Sequence, residues 1–189
     1  MGLDIFIEAD NHEDIFTDQY EEEDDAFSLS REFCNLISRR NVTEHEAELD
    51  QIGKITGTDV SPIYEMEENP DDEGELYYYL DQAETEEERQ KILAKAEEDS
   101  VEKLSGNIDK VLFTIDKLIG KLSTIENLPD RLIQTDFDTL NNAVYFSDFN
   151  IDKGKGYIDN NFGQDLRNFK RFLEFAKAQG TKTVWFVYG

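Results

Sequence analysis

The run Leu3-Asp4-Ile5-Phe6-Ile7-Glu8 alternates, with Leu3, Ile5 and Ile7 on one side of an extended backbone and Asp4, Phe6 and Glu8 on the other. That period of two is the mark of a half-buried strand. The far end carries its counterpart, Thr183-Val184-Trp185-Phe186-Val187-Tyr188, apolar enough to lie against a core. Two inner runs also read as strands, because aromatic and β-branched residues suit a pleated surface: Glu75-Leu76-Tyr77-Tyr78-Tyr79-Leu80 and Val144-Tyr145-Phe146.

Helical spacing fills the intervals. Ser28 or Ser30 stands where an N-cap belongs, ahead of Leu29, Phe33, Leu36 and Ile37 on one stripe. Thr43 precedes a second stretch, with Leu49, Ile52 and Ile55 in steps of three and Gly57 as its stop. Thr85-Glu86-Glu87-Glu88 has the form of a capping box. Val101, Leu104, Ile108, Val111, Ile115, Leu118, Leu122 and Ile125 then form a heptad seam. Gly106 and Gly120 each weaken that helix by about 1 kcal/mol relative to alanine, which leaves room for a break near Gly106. The seam is expected to bury itself against helix 30–40 or 85–98 of the same chain, leaving a monomer. Asp130 to Gln134 suits a short turn, and residues 147–161 a polar loop. Leu166, Phe169, Phe172, Leu173 and Ala176 mark a last amphipathic helix closed by Gly180.

The expected fold is therefore α+β: a small antiparallel or mixed sheet including both terminal strands, backed by helices, one of them long and heptad-patterned. A chain of 189 residues suits one domain. Within it, 1–99 is a strongly acidic half, 100–126 the long helix, and 127–189 a charge-neutral strand-loop-helix-strand.

Charge is distributed very unevenly. Residues 1–99 hold 32 acidic and 7 basic side chains, the whole of the net −25, whereas 100–189 hold 12 of each. Two windows lack Lys and Arg altogether: 1–30, with 11 acids, and 55–88, with 13. They contain Glu21-Glu22-Glu23-Asp24-Asp25 and Glu67-Glu68-Asn69-Pro70-Asp71-Asp72-Glu73. Adjacent like charges repel by about 1 kcal/mol per close pair even in water, so folding alone does not favour such blocks. This acidity excludes unaided binding to DNA, RNA or an anionic membrane.

Chemistry is sparse. His12 and His45 sit among acids and read as surface cations, with no metal-ligand spacing around them. Cys34 falls on an apolar helical stripe and reads as a small core residue. As a lone cysteine it can form no disulfide within the chain. Loop 148–159 resembles an EF-hand calcium loop, with Asp148, Asn150 and Asp152 at positions 1, 3 and 5. Lys153 stands where glycine belongs, and Asp159 where a bidentate Glu is needed. There is no Walker loop and no dinucleotide fingerprint, so catalytic residues are not expected. Arg39-Arg40 and Arg167, Lys170 and Arg171 form weak basic clusters. With no basic leader, no run of ~20 apolar residues and Phe6 where a myristoylation signal wants Ser or Thr, a cytoplasmic protein is expected.

The start Met1-Gly2-Leu3-Asp4-Ile5, together with the aromatic closing run at 183–188, resembles a group of short bacterial and phage proteins that begin Met-Gly-Leu-Asp. The resemblance implies a bacterial or phage origin and carries no activity and no site residue.

These features point to a non-enzymatic binding protein without a cofactor. Its acidic half would occupy a basic, nucleic-acid-binding surface of a protein partner such as a nuclease, by mimicry of phosphates. A phage or mobile-element inhibitor is one instance. The residues singled out are Glu21, Glu22, Glu23, Asp24, Asp25, Glu67, Glu68, Asp71, Asp72 and Glu73, with Tyr77 and Tyr79 as apolar anchors. Two alternatives stand beside it: a calcium-binding protein using Asp148, Asn150, Asp152 and Asp159, and a structural or accessory protein dimerising through the heptad helix.

Overall fold

The computed structural model describes residues 4–17, 20, 22, 24–38, 40, 45–67, 80–81, 83, 85–135 and 140–189, with backbone alone for 96–103. The fold is α+β. Strand β1 (Ile5–Ala9) pairs antiparallel with β2 (Val184–Tyr188), Ile5 opposite Tyr188 and Ala9 opposite Val184. The period of two holds: Ile5, Ile7 and Ala9 are buried, while Phe6 is 59 % exposed. Of the expected inner strand at 75–80, residues 75–79 lie outside the described residues, and Leu80 is helical rather than extended.

Between the strands run α1 (His12–Ile15), α2 (Arg31–Ile37), α3 (Glu48–Thr56), α4 (Ser61–Tyr64), α5 (Glu86–Leu104), α6 (Ile108–Leu122), α7 (Asn142–Tyr145) and α8 (Phe162–Ala178). Ser30 caps α2, its hydroxyl accepting from Phe33 N–H at 3.2 Å. Gly57 closes α3 in the left-handed conformation, a placement that suits a residue without Cβ. The capping box ahead of α5 is formed in both directions: Glu88 N–H donates to Thr85 Oγ1 and Thr85 N–H to Glu88 Oε2, each at 3.2 Å.

Val144-Tyr145-Phe146, expected as a strand, is instead the end of the helical turn α7, with Val144 exposed and Tyr145 and Phe146 buried. Phe146 N–H donates to Asn142 C=O at 3.2 Å. The turn puts both aromatic rings on one side against Phe162, at centroid distances of 5.8 and 5.4 Å. A strand would have sent them to opposite faces.

The heptad seam is divided between α5 and α6 by a turn at 105–107, with Gly106 at φ 71°. The break lets Asn107 turn onto the free edge of β2. Its Nδ2 donates to Val184 C=O at 2.7 Å and its Oδ1 accepts from Val184 N–H at 2.8 Å. Ile108, Val111, Ile115, Leu118 and Leu122 are buried in this chain's own core. Their main helical neighbour is α8 rather than the expected 30–40 or 85–98, and α4 and α3 also pack on α6. Lys170 with Asp116 (2.5 Å) and Lys177 with Asp109 (2.6 Å) bridge α8 to α6 at the surface. The core itself is aromatic: Phe33, Phe169 and Phe186 meet edge to face or tilted at 5.6 to 6.3 Å. Burying each ring contributes roughly 1.5–3 kcal/mol, the main force holding α8 to the sheet. Among the described residues no helix is long and apolar enough to cross a membrane.

Candidate binding cleft beside the first strand

The segment after β1 is densely acidic, yet it carries aromatic residues at four-residue steps, His12, Phe16 and Tyr20. In the fold these meet in sequence, His12 tilted on Phe16 at 4.4 Å and Phe16 edge to face with Tyr20 at 4.6 Å. Tyr20 then lies over Phe27 at 5.4 Å, and Phe27 against Phe172 of α8 at 6.0 Å. The aromatic wall thus built faces β1 across a cleft of about 530 Å³. That volume lies within the roughly 300–1,000 Å³ usual for ligand sites. Residues 4–7 form the opposite side, and Phe6 and Tyr157, both half exposed or more, complete the lining.

Three carboxylates belong to the same lining: Asp4, Asp24 and Asp25. Asp24 and Asp25 are exposed on a 3-10 turn, Asp24–Ala26. The turn is fixed from several sides. Asp25 N–H donates to Asp24 Oδ1 (2.6 Å), Ser28 Oγ to Asp24 C=O (3.0 Å), and Gly156 N–H to Asp25 C=O (2.6 Å). Asp4 receives Arg31 Nε at 2.8 Å. Burial, with Asp24 and Glu8 nearby, pushes the Tyr20 hydroxyl up to about 12.

Behind the turn lies a buried polar network that sequence reasoning missed. Asp165, fully buried in α8, accepts four hydrogen bonds. Ser30 N–H (3.1 Å) and Asn160 Nδ2 (2.9 Å) donate to Oδ1, while Ser30 Oγ (2.5 Å) and Tyr145 Oη (2.7 Å) donate to Oδ2. Burial pushes its carboxyl up to about 6, against the pull of those donors. One turn on, Asn168 Nδ2 donates to Ser28 C=O at 2.8 Å and Gly156 C=O at 3.3 Å. The network therefore ties the extended wall at 28–30 and the loop ahead of Tyr157 to α8. Its signal was present as Asn161, Gln164, Asp165 and Asn168, polar residues at helical spacing beside an apolar stripe.

Of the acidic residues singled out, Glu21, Glu23, Glu68, Asp71, Asp72 and Glu73 lie outside the described residues, as do Tyr77 and Tyr79. Asp24 and Asp25 come together at the cleft, and Glu22 is exposed on the same segment. Glu67 does not line the cleft and accepts from Tyr188 Oη of β2.

The calcium-like loop is organised around α8. Arg167 Nη1 donates to Phe149 C=O (2.9 Å) and Nη2 to Ile151 C=O (2.7 Å). Asn150 Nδ2 donates to Ser123 C=O at 3.0 Å, and Asp152 Oδ1 accepts from Gly154 N–H at 2.8 Å. Asp148 and Asp159 sit at positive φ, 52° and 58°. Among the described residues no three His, Cys, Asp or Glu side chains converge as metal ligands.

Cys34 is buried and its thiol pushed up to about 11 by desolvation. His12 Nδ1 meets Glu8 Oε1 at 2.7 Å on the surface. Among the basic candidates Arg40 lies over the Tyr64 ring at 4.3 Å, and Arg171 donates to Asn168 Oδ1 at 2.9 Å. What the arrangement offers chemically is recognition: rings for an apolar stem and carboxylates for a cationic head. No family model, curated protein or solved structure matches the chain.

Proposed function

We propose that this is an acidic, non-enzymatic binding protein that occupies a basic, nucleic-acid-binding surface of a protein partner. The observation that carries the reading is the placement of Asp24 and Asp25, exposed at an aromatic cleft, in the half of the chain that holds all of the net −25. Carboxylates along this face take the place of nucleic-acid phosphates against the partner's Lys and Arg. The counterions released on either side then make association salt-dependent. The aromatic wall adds apolar contact, which charge alone does not supply. An inhibitor that blocks a nuclease would act in this way.

Affinity capture from the source cells at low and high ionic strength tests the proposal. A parallel capture uses a variant whose acids in 21–25 and 67–73 are replaced by Ser and Asn. Retention of the partner is expected to fall steeply with salt and to be lost in the variant. Retention that stays level over a several-fold rise in ionic strength, or survives the replacements, refutes the mimicry.

A further inference from the structure

Asp165 is 0 % exposed, and the donors that meet it come from three places: Ser30 N–H and Oγ at the start of α2, Tyr145 Oη at the end of α7, and Asn160 Nδ2 in the loop ahead of α8. None of these groups is a cation. The basic side chains on the same elements are engaged elsewhere: Arg31 with Asp4, Arg167 with the carbonyls of Phe149 and Ile151, and Arg171 with Asn168 Oδ1. Glu32 of α2 reaches Tyr145 only through space, and Lys153, Lys155 and Asp159 of the loop are exposed. Tyr145 is the titratable group in contact, and burial with Asp165 beside it holds its hydroxyl far above the usual value, so it keeps its proton.

The three attachments differ in depth. Ser30 and Tyr145 are core residues, 1 % and 2 % exposed. Asn160 is the inner end of a surface loop in which 151–155 and 157–159 are exposed. Arg167 and Gln164 hold that loop as far as Gly154, through the carbonyls of Phe149, Ile151 and Gly154 and the N–H of Lys153. The bonds described for 155–160 run through Gly156 and Asn160. Gly156 N–H donates to Asp25 C=O at 2.6 Å, and its C=O accepts from Asn160 Nδ2 at 3.0 Å and Asn168 Nδ2 at 3.3 Å. Tyr157, next in the chain, lines the cleft.

We propose that Asp165 is a pH-sensitive latch: with its proton it keeps segment 155–160 closed against α8, and on losing the proton it lets that segment, and the Tyr157 side of the cleft with it, open more often. Burial is what pushes the carboxyl up to about 6, against the pull of its donors. Opening withdraws Asn160, admits water to Oδ1 in its place, and returns the group toward about 3.9, the value of a solvated aspartate. The closed form therefore holds the proton more tightly than the open form. By linkage the closed population falls as pH rises between those two values. From pH 5 to pH 7.5 the opening equilibrium rises about tenfold. The latch works with no partner bound, so its test is independent of the capture experiment above.

Amide hydrogen exchange, read by nuclear magnetic resonance on the full 189-residue chain, tests the latch. Rates at pH 5 and pH 7.5 are converted to protection factors, which removes the intrinsic pH dependence of exchange. Protection of the Gly156 amide is expected to fall about tenfold between the two pH values, and in Asp165→Asn, which has no proton to lose, to change less than about twofold. Local opening exposes little surface, so Gly156 exchange should be insensitive to mild urea, whereas amides of the β1–β2 pair that exchange by global unfolding respond to it. A measurement in the parent alone stands even if the variant folds poorly: the Asp165 carboxyl carbon shift should titrate with a midpoint near 6, and Gly156 protection should begin to level off at that midpoint. Protection at Gly156 that is level with pH, that rises with pH, that changes equally in Asp165→Asn, or that shares the urea response of the sheet overturns the latch. So does a carboxyl midpoint at the value of a solvated aspartate.

Discussion

Replacing Asp165 with Asn tests whether the buried carboxylate behaves as its surroundings dictate. In the folded chain its carboxyl is pushed up to about 6, against about 3.9 for an aspartate in an unfolded chain. Between these values the folded state holds a proton that the unfolded state has released, so stability falls as pH rises through the window. Two units correspond to about 3 kcal/mol, complete once the pH is above about 6, and about half of it lies above pH 5. Asp165→Asn has no proton to lose at this position. Urea unfolding of both proteins, followed by circular dichroism at pH 5 and pH 7.5, keeps clear of the isoelectric point near 4.2. The variant should gain about 1.5 kcal/mol on the parent between these two values, whatever their offset at pH 5. The other carboxylates are common to both chains and cancel in the difference. A difference that is level with pH, or that moves in the parent's favour, refutes the argument.

Gly163→Ala should destabilise by about 3 kcal/mol or more in thermal unfolding, because a Cβ there would stand 2.0 Å from Phe149 C=O, which Arg167 also holds. Asn107→Ala should cost about 2 to 4 kcal/mol by leaving both main-chain groups of Val184 unmet, and Asn107→Asp should recover only part, since it restores the acceptor and not the donor. Calorimetry with calcium up to millimolar is expected to give no heat, since Arg167 already holds the carbonyls of Phe149 and Ile151. A saturable signal lost in Asp152→Asn would support loop 148–159 as a cation site.

Elements written in local chemistry were legible without coordinates. The alternation at Ile5 to Glu8, the Ser30 cap, the Thr85–Glu88 box and the stop at Gly57 each depend on neighbours within a few positions, and each stands in the fold. Val144-Tyr145-Phe146 misled because three residues cannot distinguish a period of two from one of 3.6, and the choice fell to Phe162, sixteen positions on. The heptad seam announced a buried helix and not its neighbour, because many apolar faces would satisfy it. Gly106 and Gly120 both weakened it, yet only Gly106 marks the break, because the bond that rewards it, Asn107 to Val184, spans 77 positions. The cleft was invisible for the same cause. Its walls come from 4–7, Phe16, Tyr20, Asp24, Asp25, 27–29, Tyr157 and Phe172, and nothing local in an acidic segment says that Phe16 and Tyr20 will find Phe172. The residues Asp24 and Asp25 could be named from charge, but not the aromatic surface they accompany.

The pairing of β1 with β2 has a bearing on how the chain is born. Synthesis runs at about 5–20 residues per second, so β1 waits on the order of 10–35 s before Val184–Tyr188 is made. Throughout that interval both flanks of a short apolar ribbon are bare, a state that invites pairing between nascent copies. The same stretch carries 11 carboxylates and not one cation in its first thirty positions, and two such ribbons approaching each other must overcome their mutual repulsion. The same carboxylates thus also hold β1 apart from other nascent copies until Val184–Tyr188 is made.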